Sequence, residues 1–320
     1  MSNAEETRLR LAEIPNLTVS VQTPLALHTR FGIGGPADVF ADTCSEESFI
    51  AAIAAARATG IAVMVIGGGT NLIASDAGYR GLVIRFRGDT ISASDDRITV
   101  GAGAVLQDLV DFANARGLRG LETLAGIPGW VGAAVYGNAG AYGHSMNERV
   151  THVRFFDGAG ICTFGNAECD FAYRESIFKR HKDWIIFSTE LAMDPADADG
   201  LERISAEILA VRNAKFPPTM KCAGSIFKNF LLKNLPNGVA AQVPANVIRE
   251  GKIPAAWFLE QVGSKGMREG GIQVADYHAN LIYNAGGGTA AELSAVIVEL
   301  KARVRVRFGI EVEEEVQYVG

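Results

Sequence analysis

The chain has 320 residues, 48% apolar and 21% charged, enough to bury a sizeable core over roughly two domains. Its net charge of −6 and lack of a basic run exclude nucleic acid as the main partner, while leaving room for a small anion held by a local cluster. Cys44, Cys162, Cys169 and Cys222 have no metal-ligand spacing and no HExxH occurs, so a metal enzyme is disfavoured and the cysteines read as reduced thiols.

The first residues, MSNAEETRLRLAEIPNL, carry early acidic groups and no long apolar run. Neither a signal peptide nor membrane insertion is expected, which points to the cytoplasm. Ser45 is placed to cap a helix with Phe49, Ile50, Ile53 and Ala54 on its apolar face, and Gly60 stops it. IAVMVI (61–66) is an unbroken apolar run, as in a buried strand, and GGGTNL turns the chain after it. RITVGA (97–102) alternates as a strand. Residues 104–116 then give an amphipathic helix, with Leu106, Leu109, Val110 and Ala113 on one face and Gly117 as its stop. Another helix is expected over 201–213, and PPT at 217–219 breaks the chain as a linker. Thr289 and Glu292 form a capping box for a helix running to about Arg307, with Gly309 after it. IEVEEEVQYVG reads as a short last strand. The whole is a mixed α/β and α+β pattern with breaks near residues 82 and 215.

Glycine occurs 36 times and clusters at 32–35, 67–69, 126–143 and 286–288. Such clusters permit positive φ and close backbone approach to a ligand. In VIGGGTNLIASD (65–76) a strand runs into three glycines, Thr70 and Asn71, which offers N–H groups to a pyrophosphate. Neither GxGxxG nor GK[ST] is present, and a tight structural turn explains the segment equally well. AGIPGWVGAAVYGNAGAYG (125–143) is a second glycine-rich stretch, and the two together point to a large nucleotide cofactor.

The ordered motifs HTRFGIGGPADVF, VIGGGTNLIASDAGYRGLVIR, GIPGWVGAAVYGNAGAYG, FAYRESIFK, AGSIFKNF, YHANLIYNAGGGTAAEL and FGIEVEEEV closely resemble the UDP-N-acetylenolpyruvoylglucosamine reductases, the MurB family, from about residue 24 onward. The resemblance implies an α+β protein with a vanillyl-alcohol-oxidase-type FAD-binding fold. Two FAD-binding α+β subdomains, 1–82 and 83–214 (the latter joined by 310–320), are followed by a substrate-binding α+β domain at 215–309. It implies FAD and NADPH as cofactors, and conversion of UDP-N-acetylglucosamine enolpyruvate to UDP-N-acetylmuramate for peptidoglycan synthesis. Gly67, Gly68, Gly69, Thr70 and Asn71 carry over to the pyrophosphate. Ile127, Pro128, Gly132, Gly137, Asn138 and Ala139 carry over to the flavin. A monomer or weak homo-oligomer is expected. A different FAD-dependent oxidase of the same fold, and a non-catalytic flavin- or UDP-sugar-binding protein, are the rival readings.

Hydride addition to an enolpyruvyl β-carbon drives charge onto the carboxylate and requires a proton at the α-carbon. By resemblance, Arg174 in YRES meets the carboxylate with a planar, permanently charged fork; read alone it is a loop arginine. A protonated Glu315 supports the developing charge; read alone, EVEEEV is a charged edge strand with Glu311, Glu313 and Glu315 on one face. Ser225 is the proton donor to carbon; no GxSxG elbow surrounds it, which disfavours a hydrolase triad with His278. Tyr173, Arg212, Lys215, Asn229 and Asn280 are the substrate-binding candidates, Lys215 also reading as a solvated linker lysine. The chain departs from the family's usual proline at Glu314 and Phe230, carries a longer 231–254 stretch, and lacks the loop that caps substrate with a tyrosine. It therefore resembles the second subclass.

Overall fold

A computed structural model describes residues 2–320. The chain divides into two compact units, which are not consecutive in sequence. The first comprises residues 2–23, 37–68 and 80–218; the second comprises 24–36, 69–79 and 219–320.

Two sheets organise the first unit. One runs Thr18–Pro24, Pro36–Thr43, Tyr79–Phe86, Val63–Val65, and the other Ile161–Gly165, Val150–Phe156, Ile185–Ala192, Arg97–Gly101, Ile91–Ser94. Ser45 caps the helix Glu46–Thr59 by accepting from Ser48 N–H, and Gly60 closes it in the left-handed region at φ 68°. The buried face is Phe49, Ala52, Ile53 and Ala56, so Ala54, expected inside, is exposed. The 3.6-residue period puts residue 56, not 54, on the side of Phe49 and Ile53. Phe49 packs edge-on to Phe86 and Phe187, with centroids 6.1 and 5.8 Å away, so Phe49→Ala would cost roughly 3–5 kcal/mol. Leu106–Asn114 is helical and buries Leu106, Leu109, Val110 and Ala113 as their spacing requires. The expected buried strand at 61–66 is a correction: only Val63–Val65 is strand, half-buried, at a sheet edge and parallel to Leu82–Ile84. With one neighbouring strand, an apolar run covers less than periodicity suggests.

The second unit is built on the antiparallel sheet Cys222–Ser225, Leu281–Asn284, Ile272–Val274, Arg268–Glu269. The helix Ala290–Phe308 packs against it, opened by the reciprocal Thr289–Glu292 capping box and closed by Gly309 at φ 66°. The distant Asp76 carboxylate also accepts from Ala290 and Ala291 N–H at 2.8 and 2.9 Å, favouring the same positive helix end. The tail, expected to join residues 83–214, pairs instead with Leu72–Ala74 as the short parallel strand Gln317–Val319. Residues 311–316 form no continuous strand; Glu314 makes one isolated bridge to Phe227. The expected shared face of Glu311, Glu313 and Glu315 is therefore absent. Glu311 pairs with Arg305 and Glu313 with Lys228.

Candidate functional site

In the first unit, the glycine stretch 125–143 is stitched to the strand end before it. Leu106, Val131 and Gly132 N–H donate to Gly129, Ala104 and Ala102 carbonyls, each at 2.9 Å. A Cβ at Gly132 would lie 2.7 Å from that of Ala102, so this glycine serves close helix–strand packing. Gly137, Asn138 and Ala139 N–H donate into the short helix Val131–Tyr136, and Ile127 N–H donates to Leu124. Asn138 is buried at φ 43°. Its amide donates to Ala172 C=O at 2.8 Å and accepts from Asn147 N–H at 3.0 Å. These residues shape a cradle with groups already engaged by protein, and Asn138 ties it to the segment holding Arg174. Trp130 was not read from sequence as a site residue. It covers Gly68, where a Cβ would meet its ring at 3.1 Å. The Arg85 guanidinium lies 5.6 Å from the Trp130 centroid while Asp42 holds it by two bonds of 2.6 and 2.7 Å.

Tyr173 and Arg174 occupy a two-residue turn closed by Ala172–Glu175 backbone bonds in both directions. Arg174 adopts φ 58°, where a side chain costs about 1–2 kcal/mol. Three contacts enforce it: Arg174 Nη2 donates to Gly140 C=O at 2.8 Å, Lys179 Nζ donates to Arg174 C=O at 2.8 Å, and Ser176 Oγ donates to Tyr136 C=O at 2.6 Å. The Ser of YRES thus anchors the turn to the helix of the glycine stretch. Burial, helped by Glu175, raises the Tyr136 phenol above its ordinary range. Arg212 and Lys215 lie in the last turn of the helix Ala198–Lys215, with Phe216 beneath both cations at 5.8 and 5.1 Å. Gly126 leaves space for the Arg212 stem, whose Cδ would be 3.2 Å from a Cβ there.

The turn after Val63–Val65 presents consecutive donors. Among the described residues, no acceptor meets the backbone N–H of Gly67, Gly68 or Gly69. Gly69 is at φ 66°, and a Cβ would sit 1.7 Å from His28 C=O, so only glycine fits. A row of unused N–H groups, bent by a position that only glycine can fill, suits a pyrophosphate.

In the second unit, Gly224 at φ 76° and a register shift between Cys222 and Ser225 bend the strand at the serine. The next three residues are held from two sides. Ile226 N–H donates to Asn280 C=O at 3.1 Å. The Asn280 amide accepts from Phe227 N–H at 2.9 Å and donates to Phe227 C=O at 2.8 Å. From the tail, Glu315 N–H donates to Ile226 C=O and Lys228 N–H donates to Glu313 C=O, both at 2.8 Å. Lys228 Nζ, 9% exposed, pairs with Glu313 at 2.5 Å. Asn71 closes the arrangement by donating its amide to Glu315 C=O at 2.9 Å. The fold therefore joins Asn71, Asn280, Glu315 and the residues directly after Ser225 in one network. Asn280, expected at the substrate, is 2% exposed with its amide engaged by Phe227, so here it positions the serine segment. Asn229 is exposed, and its Oδ1 accepts from Ala255 N–H at 3.2 Å.

The two departures at proline positions have local reasons. Glu314 N–H takes no part in the bridge to Phe227, and its carboxylate binds Lys301 Nζ at 2.6 Å and the Tyr318 hydroxyl. Burial and that carboxylate raise the Tyr318 phenol well above its usual range. Phe230 pairs with Ile253 and sets its ring 4.8 Å from Phe258, closing the base of the 231–254 stretch.

Residues 37–164 match a family described as FAD binding domain, and residues 216–319 match UDP-N-acetylenolpyruvoylglucosamine reductase, C-terminal domain. The chain is 76% identical over 312 residues to a UDP-N-acetylenolpyruvoylglucosamine reductase of Solibacter usitatus, covering 98% of this chain and 100% of that one. It is 33% identical to the same enzyme of Bacillus subtilis, covering 94% of each chain. The solved structure of UDP-N-acetylenolpyruvylglucosamine reductase from Thermus caldophilus superposes with a TM-score of 0.72 at 30% identity, covering 95% of this chain and 99% of that one.

Proposed function

Because the chain belongs to the UDP-N-acetylenolpyruvoylglucosamine reductase family, we propose that Arg174, Ser225 and Glu315 carry the reduction of UDP-N-acetylglucosamine enolpyruvate to UDP-N-acetylmuramate in peptidoglycan synthesis. The protein is an FAD- and NADPH-dependent oxidoreductase. FAD, when bound, supplies hydride to the enolpyruvyl β-carbon and is recharged by NADPH. Gly67, Gly68 and Gly69 would hold its pyrophosphate through backbone donors, with Thr70 next in the same turn, while Ile127, Pro128, Gly132, Gly137 and Ala139 would shape the flavin cradle. Arg174 presents its fork to the substrate carboxylate as charge builds there. Its strained turn fixes the guanidinium before substrate arrives, which limits reorganisation during reaction. Glu315 supports charge that develops on the substrate. Ser225 delivers the proton to the α-carbon; a weak acid suffices because the carbon is strongly basic and the serine is held in place. Arg212, Lys215, Tyr173 and Asn229 bind the UDP-sugar.

The carrying observation is the backbone network that ties the segment directly after Ser225 to Glu315, fastened by Asn280 on one side and the 313–315 segment on the other. That arrangement suits two groups acting on neighbouring atoms of one substrate. The test uses the flavin as its own indicator. The yellow protein is bleached anaerobically with NADPH, then mixed with the enolpyruvyl UDP-sugar. Colour returns if the activity is right, and failure to return overturns it. Ser225→Ala should still bleach with NADPH while turnover falls roughly 10²-fold or more; near-normal turnover removes the serine from the mechanism.

A further inference from the structure

Asn71 ends the glycine turn, and its short polar side chain reads from sequence as one more pyrophosphate ligand. Its geometry gives it a different partner. Asn71 Nδ2 donates to Glu315 C=O at 2.9 Å, across 244 positions of sequence. Asn71 C=O accepts from Gln317 N–H at 3.0 Å, just before Leu72 and Gln317 start the parallel ladder. One residue therefore grips the tail on both sides of Val316, which is itself buried at 3% exposure. Glu315 N–H also donates to Ile226 C=O at 2.8 Å. Residues 311–316 have no continuous strand to hold them. Bonds to the segment after Ser225 and to Asn71 thus both hold the Glu315 backbone.

We propose that Asn71 is a positioning residue, through which the loop that holds the FAD pyrophosphate fixes the backbone of Glu315 and, through Ile226, the segment carrying Ser225. This rests on the roles proposed above for Glu315 and the glycine turn. Gly69 and Asn71 are separated by one residue, so a ligand that orders the Gly69 N–H orders Asn71 with it. The amide then holds the Glu315 peptide and so the direction of its side chain. Cofactor occupancy and carboxyl placement become linked, and the protein without flavin has a more loosely held Glu315 side chain.

Two measurements decide it. Amide hydrogen exchange over 313–317, compared with and without FAD, should show protection rising on loading, and the rise should vanish in Asn71→Ala. Equal exchange with and without FAD overturns the link, and this arm needs no variant to fold. The second is a double-mutant cycle on the recovery of flavin colour by substrate, expressed per bound flavin. Asn71→Ala should slow recovery about tenfold, the scale of one lost orienting hydrogen bond. The same change in a Glu315→Ala background should have little effect, because the side chain it positions is gone. An equal tenfold loss in both backgrounds overturns the proposal. So does reduced flavin affinity with an unchanged rate per flavin, which would make Asn71 a plain pyrophosphate ligand. Asn71→Ser, keeping a shorter donor, should recover part of the rate. Wild-type turnover by Glu315→Ala alone would instead refute the role of Glu315, with the exchange arm still reporting on Asn71.

Discussion

Replacing Asn280 with alanine isolates a clamp of known geometry. The side chain is 2% exposed, and its amide serves both polar groups of the Phe227 peptide, at 2.9 and 2.8 Å. Phe227 is itself 1% exposed, so water cannot readily replace the lost partner. Each buried group left unsatisfied costs about 1–3 kcal/mol, so the pair sums to roughly 2–6 kcal/mol before relaxation. About 3 kcal/mol is a sensible centre, since the Ile226 N–H bond to Asn280 C=O survives the substitution and keeps the segment attached. At about 2–4 °C per kcal/mol for a chain of this size, the thermal midpoint should fall by ~6–12 °C. Differential scanning calorimetry reads this directly. Turnover should fall further than flavin content, because the segment that loosens carries Ser225. Asn280→Asp keeps the acceptor for Phe227 N–H but turns an oxygen toward Phe227 C=O, so it should be destabilised as well. A midpoint within a degree of wild type, with normal turnover, would refute the view that this amide holds the serine segment.

Burial pushes the Cys169 thiol up to about 12, while Cys44 is exposed. At pH 8 the Cys169 thiolate is therefore scarce, and a thiol reagent should modify Cys44 and spare Cys169 in the folded protein; mass mapping checks this. Gly69→Ala should destabilise by roughly 2 kcal/mol or more and lower flavin content, through its left-handed backbone and the clash with His28 C=O. By contrast, Gly137→Ala, whose Cβ would find its nearest neighbour at 3.4 Å, should change stability by under about 0.5 kcal/mol in urea unfolding. Arg174→Gly and Arg174→Ala should both lose turnover. The glycine variant should be the more stable by about 1 kcal/mol, because φ 58° strains alanine and not glycine; the reverse order would show that the turn is not under strain.

Local signals carried what depends on neighbouring residues. Ser45, Gly60, Thr289, Glu292 and Gly309 mark helix ends by chemistry confined to one turn, and each behaves as read. The face Leu106, Leu109, Val110, Ala113 follows from the helical period alone. The ordered motifs identified the family because their residue types and order are properties of the chain itself. What the sequence could not contain was the set of partners brought from afar. Asp76 caps a helix that starts more than two hundred residues later, and Asn71 reaches Glu315. Asn138 and Asn280 read as ligands since a polar side chain beside glycines or in YHAN offers donors and acceptors. Only the tertiary structure shows those groups taken by Ala172, Asn147 and Phe227. The tail strand shows the same limit: its residues allow pairing with any exposed strand edge, and the packing of the second unit chose Leu72–Ala74. Residue type thus determined which hydrogen bonds were chemically open, and the fold decided which were made, because a bond needs its partner within about 3 Å and distance in space is not written in distance along the chain.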